Sequence, residues 1–296
     1  MITFLFEQYG YYPKELKDDM FEIDNWQFKL VEINNNDDEF INNIDNYIYM
    51  IRENFKNNGP YIIRTRYNDK ISKYDNKRYV LISINKTVMS YNELSLFHHI
   101  FKESDKKVDL SKLLDSWKSR LEIIETLGLE SLRLDSSYYS DNLEVAMFCL
   151  GLCINASQYL HDIILDYGKN VDNITITHKR IKNLDSFDFL NPFNFVIDHP
   201  IRDFVELYRN DFLRFEDLIE ILNYYNLDIK LASIFVARIL YPVNIIDVLE
   251  ENIYLKDNNL KLKYNFEKEI AKIKKIYFYF KEKYNIRPII WLEMED

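Results

Sequence analysis

Glycine is scarce in this chain, with 5 in 296 residues, and none lies between Gly10 and Gly59. A Gly-rich loop that lays backbone N–H groups over phosphates therefore has no place in the first part of the sequence. Cysteine is nearly absent too. Cys149 and Cys153 stand four apart in an apolar helical run, which is neither a CxxC pair nor a disulfide framework. They read as two buried thiols in a reducing compartment. Positive charge is in deficit: 38 Lys and Arg against 48 Asp and Glu give a formal net charge of -10. That balance argues against nucleic acid or an anionic membrane as partner. The opening MITFLFEQYG has no basic segment and carries Glu7, so it does not read as a secretory signal. No uninterrupted apolar run approaches the about 20 residues a membrane span needs. The expectation is a cytoplasmic protein.

The chain has enough apolar residues, 47% of the total, for a large core, and aromatics are abundant, with 23 Tyr and 20 Phe. Period-2 patterning dominates the first 86 residues. MFEIDNWQFKLVEIN predicts a hairpin over residues 20–34. A helix follows, capped by Asp37 or Asp38, with Phe40, Ile41, Ile44, Ile48 and Ile51 on one face. NNGP at 57–60 breaks it, and two or three more strands follow to about Ile84. From Thr87 the period is helical. One helix ends at Gly128; a very apolar one ends at Gly168. Then come two short β-like pieces, NITITHKRI and FNFVID, joined by a polar loop, KNLDSFDFLNP. Helices resume near Ile201. The basic run KEIAKIKKIYFYFKEKY reads as a solvated helix face with an aromatic stripe.

This pattern predicts an α+β, bilobal, protein-kinase-like fold. A small antiparallel β-rich lobe occupies 1–86, and a larger, mostly helical lobe occupies 87–296 with a β-hairpin at about 174–198. In kinase folds such a hairpin is preceded by the catalytic loop and ends at a metal-binding acid. The run FNFVIDHPIRDFVELYRND fits this plan, since an apolar strand drives into Asp198 and a second acid, Asp203, heads the next helix.

Three segments carry a family resemblance: GLCINASQYLHD (151–162), THKRI (177–181) and FNFVIDHPIRDFVELYRNDF (193–212). They resemble the YutH spore coat family, a kinase-like branch of the aminoglycoside phosphotransferase and choline kinase superfamily, and DSWKSRLEIIETL resembles its Trp-containing helix. The resemblance places Asp198 at the Mg²⁺-binding acid and His178 at the start of the catalytic loop. It places Arg180 where the base Asp belongs, Asp185 where the second metal ligand belongs, and Asp203 at an acid that pins the loop. Lys29 is the candidate phosphate-binding strand lysine. A protein partner from the spore coat, and a location in the coat, are also implied.

The site departs from an active one. Arg180 cannot accept a substrate proton, because a guanidinium stays protonated. The Gly-rich loop is missing. The expectation is therefore a pseudokinase needing no cofactor, with Asp198 either paired with Arg180 or holding a residual metal with Asp185. The alternative is an active small-molecule phosphotransferase using ATP and Mg²⁺, with Asp185 or Asp188 as replacement base. A third reading, a metal-dependent phosphohydrolase, would use His98, His99, His161, Asp162 and Asp198. Its all-helical architecture conflicts with the β-rich first 86 residues.

Overall fold

The computed structural model describes residues 1–34, 38–55, 59–103 and 105–294. The first elements are α1 (Ile2–Tyr9), β1 (Met20–Ile23), β2 (Trp26–Ile33), α2 (Asp38–Asn54), β3 (Tyr61–Ile63), β4 (Ser72–Tyr74), β5 (Lys77–Asn85) and α3 (Tyr91–Ile100). Next come β6 (Val108–Asp109), α4 (Leu110–Ile123), α5 (Tyr139–Tyr167), β7 (Asn170–Val171), β8 (Thr175–His178), α6 (Ser186–Leu190) and β9 (Phe195–Asp198). Six helices complete the chain: α7 (Ile201–Arg209), α8 (Phe215–Tyr224), α9 (Ile229–Leu240), α10 (Val243–Leu255), α11 (Phe266–Tyr284) and α12 (Ile290–Glu293). The helix cap expected at Asp37 or Asp38 rests on side chains outside the described residues.

Two compact units result. The first joins Met1–Lys102 to Thr175–Ile197; the second joins Glu103–Ile174 to Asp198–Asp296. This division differs from the single boundary expected at residue 86. The hairpin segment goes with the N-terminal sheet because its connection is not a polar loop. Phe187, Phe189 and Leu190 of α6 are buried, and Ser186 Oγ donates to the Asn85 carbonyl at the end of β5.

In the first unit an antiparallel five-stranded sheet runs β1-β2-β5-β3, with β4 also paired to β5. The expected hairpin is β1–β2, in register with Met20 opposite Lys29. Asp75 and Asn76, at φ 50° and 61°, turn β4 into β5, the left-handed pair that a two-residue hairpin loop requires. Helix α1 was not foreseen. It ends at Gly10, whose φ of 83° suits a residue without Cβ. Its Phe4, Leu5 and Tyr9 pack on Phe21, Phe28, Leu30, Tyr79 and Leu81 of the sheet. α3 starts with a reciprocal cap between Ser90 and Glu93.

The second unit is built around α5, which packs against α4 and α9. By length and composition α5 could cross a membrane, but more than half of its apolar window is buried in the structure, as in a core helix. Its end at Gly168 is as expected, while α4 runs on through a π-helical turn to Gly128. Trp117 stacks on Tyr241 at 4.4 Å. Arg120 ties α4 to α10 through Asp247 and Glu250, both at 2.6 Å. Cys149 and Cys153 are buried and free.

Candidate functional site

The period-2 geometry of β2 sorts its side chains. Phe28 and Leu30 are buried in the apolar cluster with α1, while Gln27, Lys29 and Val31 line a cavity of about 560 Å³. Met20, opposite Lys29, extends that wall. The facing wall comes from the segment between β8 and β9. It supplies Arg180, Lys182, Asp185 and Asp188 as charged groups, with Phe187 and Phe193 as apolar ones. All of these residues belong to the first unit.

One amide fixes the shape of that segment. Asn194 Nδ2 donates to the carbonyls of Arg180 (2.7 Å) and Asp188 (3.1 Å), and its Oδ1 accepts the Arg180 N–H at 3.1 Å. Asn183 Oδ1 accepts the Asp185 N–H at 2.9 Å, and Asp185 leads into α6. Among the described residues, the side chains of Lys29, Lys182, Asp185 and Asp188 make no hydrogen bond or ion pair. The Arg180 guanidinium donates to the Lys179 carbonyl at 2.6 Å. Burial pushes the Asp188 carboxyl above the usual carboxylate range, and the Asp185 charge adds to that; Lys182, His178 and Lys29 pull the other way.

His178 is not among the lining residues. It is fully buried, stacked on Phe97 with centroids 5.2 Å apart, and its Nε2–H donates to the Phe189 carbonyl at 2.8 Å. It therefore holds the segment from beneath, through α6.

Asp198, at the end of β9, belongs to the second unit. Both of its oxygens are engaged. Oδ1 accepts the His199 N–H at 2.7 Å; Oδ2 accepts from Arg238 at 2.6 Å and Arg202 at 3.1 Å. Burial alone would raise this carboxyl, but the two guanidinium charges outweigh it and hold the group below the ordinary range. The positive partners observed for Asp198 are thus Arg238 and Arg202. A divalent cation does not fit here, since two fixed positive charges already occupy the carboxylate. Among the described residues no group of three or more His, Cys, Asp or Glu is placed to hold a metal. Asp203 is fully buried in the first turn of α7, and His199 is buried beside it, its Nδ1 accepting the Ile201 N–H. His98 is buried and His99 exposed on α3.

The structure thus brings Lys29, Arg180 and Asp185 to one cavity, sets His178 beneath the segment that lines it, and pairs Asp198 within the second unit. Sequence reasoning missed Asn194, Lys182, Arg202 and Arg238. Arg202 was within reach, since it lies four residues after Asp198 at the start of a helix. Arg238, forty residues away, carried no local signal.

Residues 2–278 match the family described as Spore coat putative kinase YutH. No curated protein matches the chain. A solved spectinomycin phosphotransferase, in complex with ADP and spectinomycin, superposes with a TM-score of 0.53 at 12% identity, covering 95% of this chain and 92% of that one. An aminoglycoside phosphotransferase from Alicyclobacillus acidocaldarius gives a TM-score of 0.48 at 10% identity, covering 89% and 88%. At such identities the likeness is one of fold, and the first of these two gives the chain the kinase-like phosphotransferase fold.

Proposed function

The chain belongs to the spore coat putative kinase YutH family, and from that premise we propose that it is a pseudokinase of the spore coat, with the kinase-like fold kept and phosphoryl transfer lost. One observation carries the reading: Asp198, the acid that the resemblance sets at the metal-binding position, is saturated by Arg238, Arg202 and a backbone N–H. Phosphoryl transfer depends on positioning and on neutralising charge with metal ions. Arg180, which the resemblance sets in place of the base, and the lack of a Gly-rich loop point the same way. The coat association, with coat proteins as partners, comes from the family description alone.

An active phosphotransferase is the second reading, and Asp188 favours it. This half-buried carboxylate faces the cavity with its affinity for protons raised, which suits a general base. The deciding experiment is a radiolabelled ATP assay with Mg²⁺ across aminoglycosides, small alcohols and protein acceptors. The pseudokinase reading expects no turnover above background. Turnover that vanishes in Asp188→Asn would replace it with the second reading.

A further inference from the structure

Helix α5 has a second face that the core of its unit does not use. Met147, Gly151, Ile154, Gln158, His161 and Leu165 follow one another at alternating intervals of four and three residues, the spacing of a coiled-coil seam. All six reach solvent, and the three large apolar side chains, Met147, Ile154 and Leu165, are 54%, 51% and 68% exposed. No Asp, Glu, Lys or Arg occurs from Val145 to Leu160, in a chain that is 29% charged. Gly151 stands at the middle of this face. A glycine in mid-helix costs stability relative to alanine, and a methyl group there would meet no atom within 4 Å. The fold of one copy has no steric need for that glycine, whereas a second helix packed closely on α5 has one.

We propose that this face is a twofold interface, on which α5 of a second copy of the chain packs antiparallel. The occupant follows from self-complementarity. In the register that sets Gly151 opposite the partner's Ile154, a large side chain fills the space that a small one leaves. The same register sets Glu144 opposite the partner's His161 and Met147 opposite the partner's Gln158. Glu144 has no hydrogen bond or ion pair among the described residues, and His161 has only Asp162, at 3.9 Å. An imidazole N–H donates to a carboxylate, and the twofold axis makes that contact at both ends of the seam. Asp162, held by Gln158 and Arg287, falls opposite Leu143 and meets no second acid. Parallel pairing would set Glu144 against Glu144 and Gly151 against Gly151, which repels at one level and leaves a gap at the other. A lipid surface suits the face less well, because α5 carries no Lys or Arg, the residues that flank the apolar face of an interfacial helix.

The test is sedimentation equilibrium of the whole chain from about 1 to 100 µM, where a reversible dimer is expected. Gly151→Leu and Ile154→Glu should each weaken it by about tenfold or more. Gly151→Leu should at the same time raise the melting temperature of dilute protein, since it removes a mid-helix glycine, so that a lost dimer is told apart from a lost fold. His161→Glu sets like charges opposite each other and should also weaken the dimer. Combining it with Glu144→Lys reverses both charges and should bring the affinity back to within about threefold of wild type. A monomer throughout the range, a dimer indifferent to both Gly151→Leu and Ile154→Glu, or charge variants whose effects simply add would overturn the proposal. A monomer that floats with vesicles of phosphatidylcholine and phosphatidylglycerol, and ceases to in Ile154→Glu, would overturn it too and assign the face to a lipid surface.

Discussion

Arg238 Nη2 donates to Asp198 Oδ2 at 2.6 Å, with both side chains only 9% exposed. Arg202 adds a second guanidinium to the same oxygen. Buried this deeply, neither member tolerates the loss of the other, because desolvation is costly and only the partner offsets it. Asp198→Ala should therefore cost about 3–5 kcal/mol, as expected when one partner of a buried pair is removed. Adding Arg238→Met should restore much of the loss, since an apolar pair of similar volume is often neutral. Urea unfolding of the wild type, both single variants and the double variant measures the coupling. A metal-holding Asp198 would behave differently: EDTA would lower wild-type stability, and Asp198→Ala would cost little in its presence.

The same group sets an expectation for acid. The Asp198 carboxyl is held below its unfolded value, so the folded state binds fewer protons there. Its stabilisation is full above the unfolded value of about 3.9 and is lost as pH falls through the lower folded one. Wild-type stability should thus drop on acidification below about pH 4. In Asp198→Asn the stability at neutral pH should be lower and the drop shallower. Denaturant midpoints from pH 2 to 7 test this, and parallel curves for the two proteins would refute it.

Most of the first unit's strands were legible because half-buried strands alternate, and MFEIDNWQFKLVEIN alternates cleanly. Helix α1 was not, since ITFLFEQY is short and its partners Phe21, Phe28 and Leu81 are distant in sequence. α6 was misread as polar loop because Asp185, Asp188 and Asn191 mask the buried Phe187, Phe189 and Leu190. The candidate site split in the same way. Lys29 and Asp185 could be picked out locally, but the partner that matters most to Asp198 arrives from α9, where only tertiary packing places it.

Asp188 gives the opposite pH sign. Its carboxyl is raised by burial, so the folded state binds the extra proton. The stability is fully present below the unfolded value and is lost as pH rises through the folded one. Asp188→Asn should therefore stabilise the protein at neutral pH. The gain should stay within about 1 kcal/mol, because the group is partly solvated and screened. Thermal melts at pH 4 and pH 7 test this, with the variant's advantage appearing only at the higher pH. An equal advantage at both would assign the effect to packing.

The buried thiols offer a test of the second unit's core. Burial pushes Cys153 up to about 12 and Cys149 further still. Thiolate, the reactive form, is then nearly absent at neutral pH. Native protein should leave both cysteines unmodified by a thiol reagent for as long as it stays folded, with both reacting in urea. Rapid labelling of either one in the native state would contradict the packing of α5.

His178 separates a positioning role from a catalytic one. Its ring is fully buried, lies on Phe97, and donates to the Phe189 carbonyl. His178→Ala removes both contacts and leaves a cavity, which should cost about 2–5 kcal/mol on the scale of large-to-small core changes. His178→Phe keeps most of the volume but leaves the Phe189 carbonyl without its donor, at about 1–3 kcal/mol. Because α6 carries Asp188 and follows Asp185, both variants should also loosen the cavity's facing wall. Chemical denaturation gives the two costs, and hydrogen exchange of the 180–194 amides reports the loosening. A residue acting only on a bound ligand would leave both readouts at wild-type values, so unchanged stability and exchange in both variants would move His178 from beneath the cavity into its chemistry.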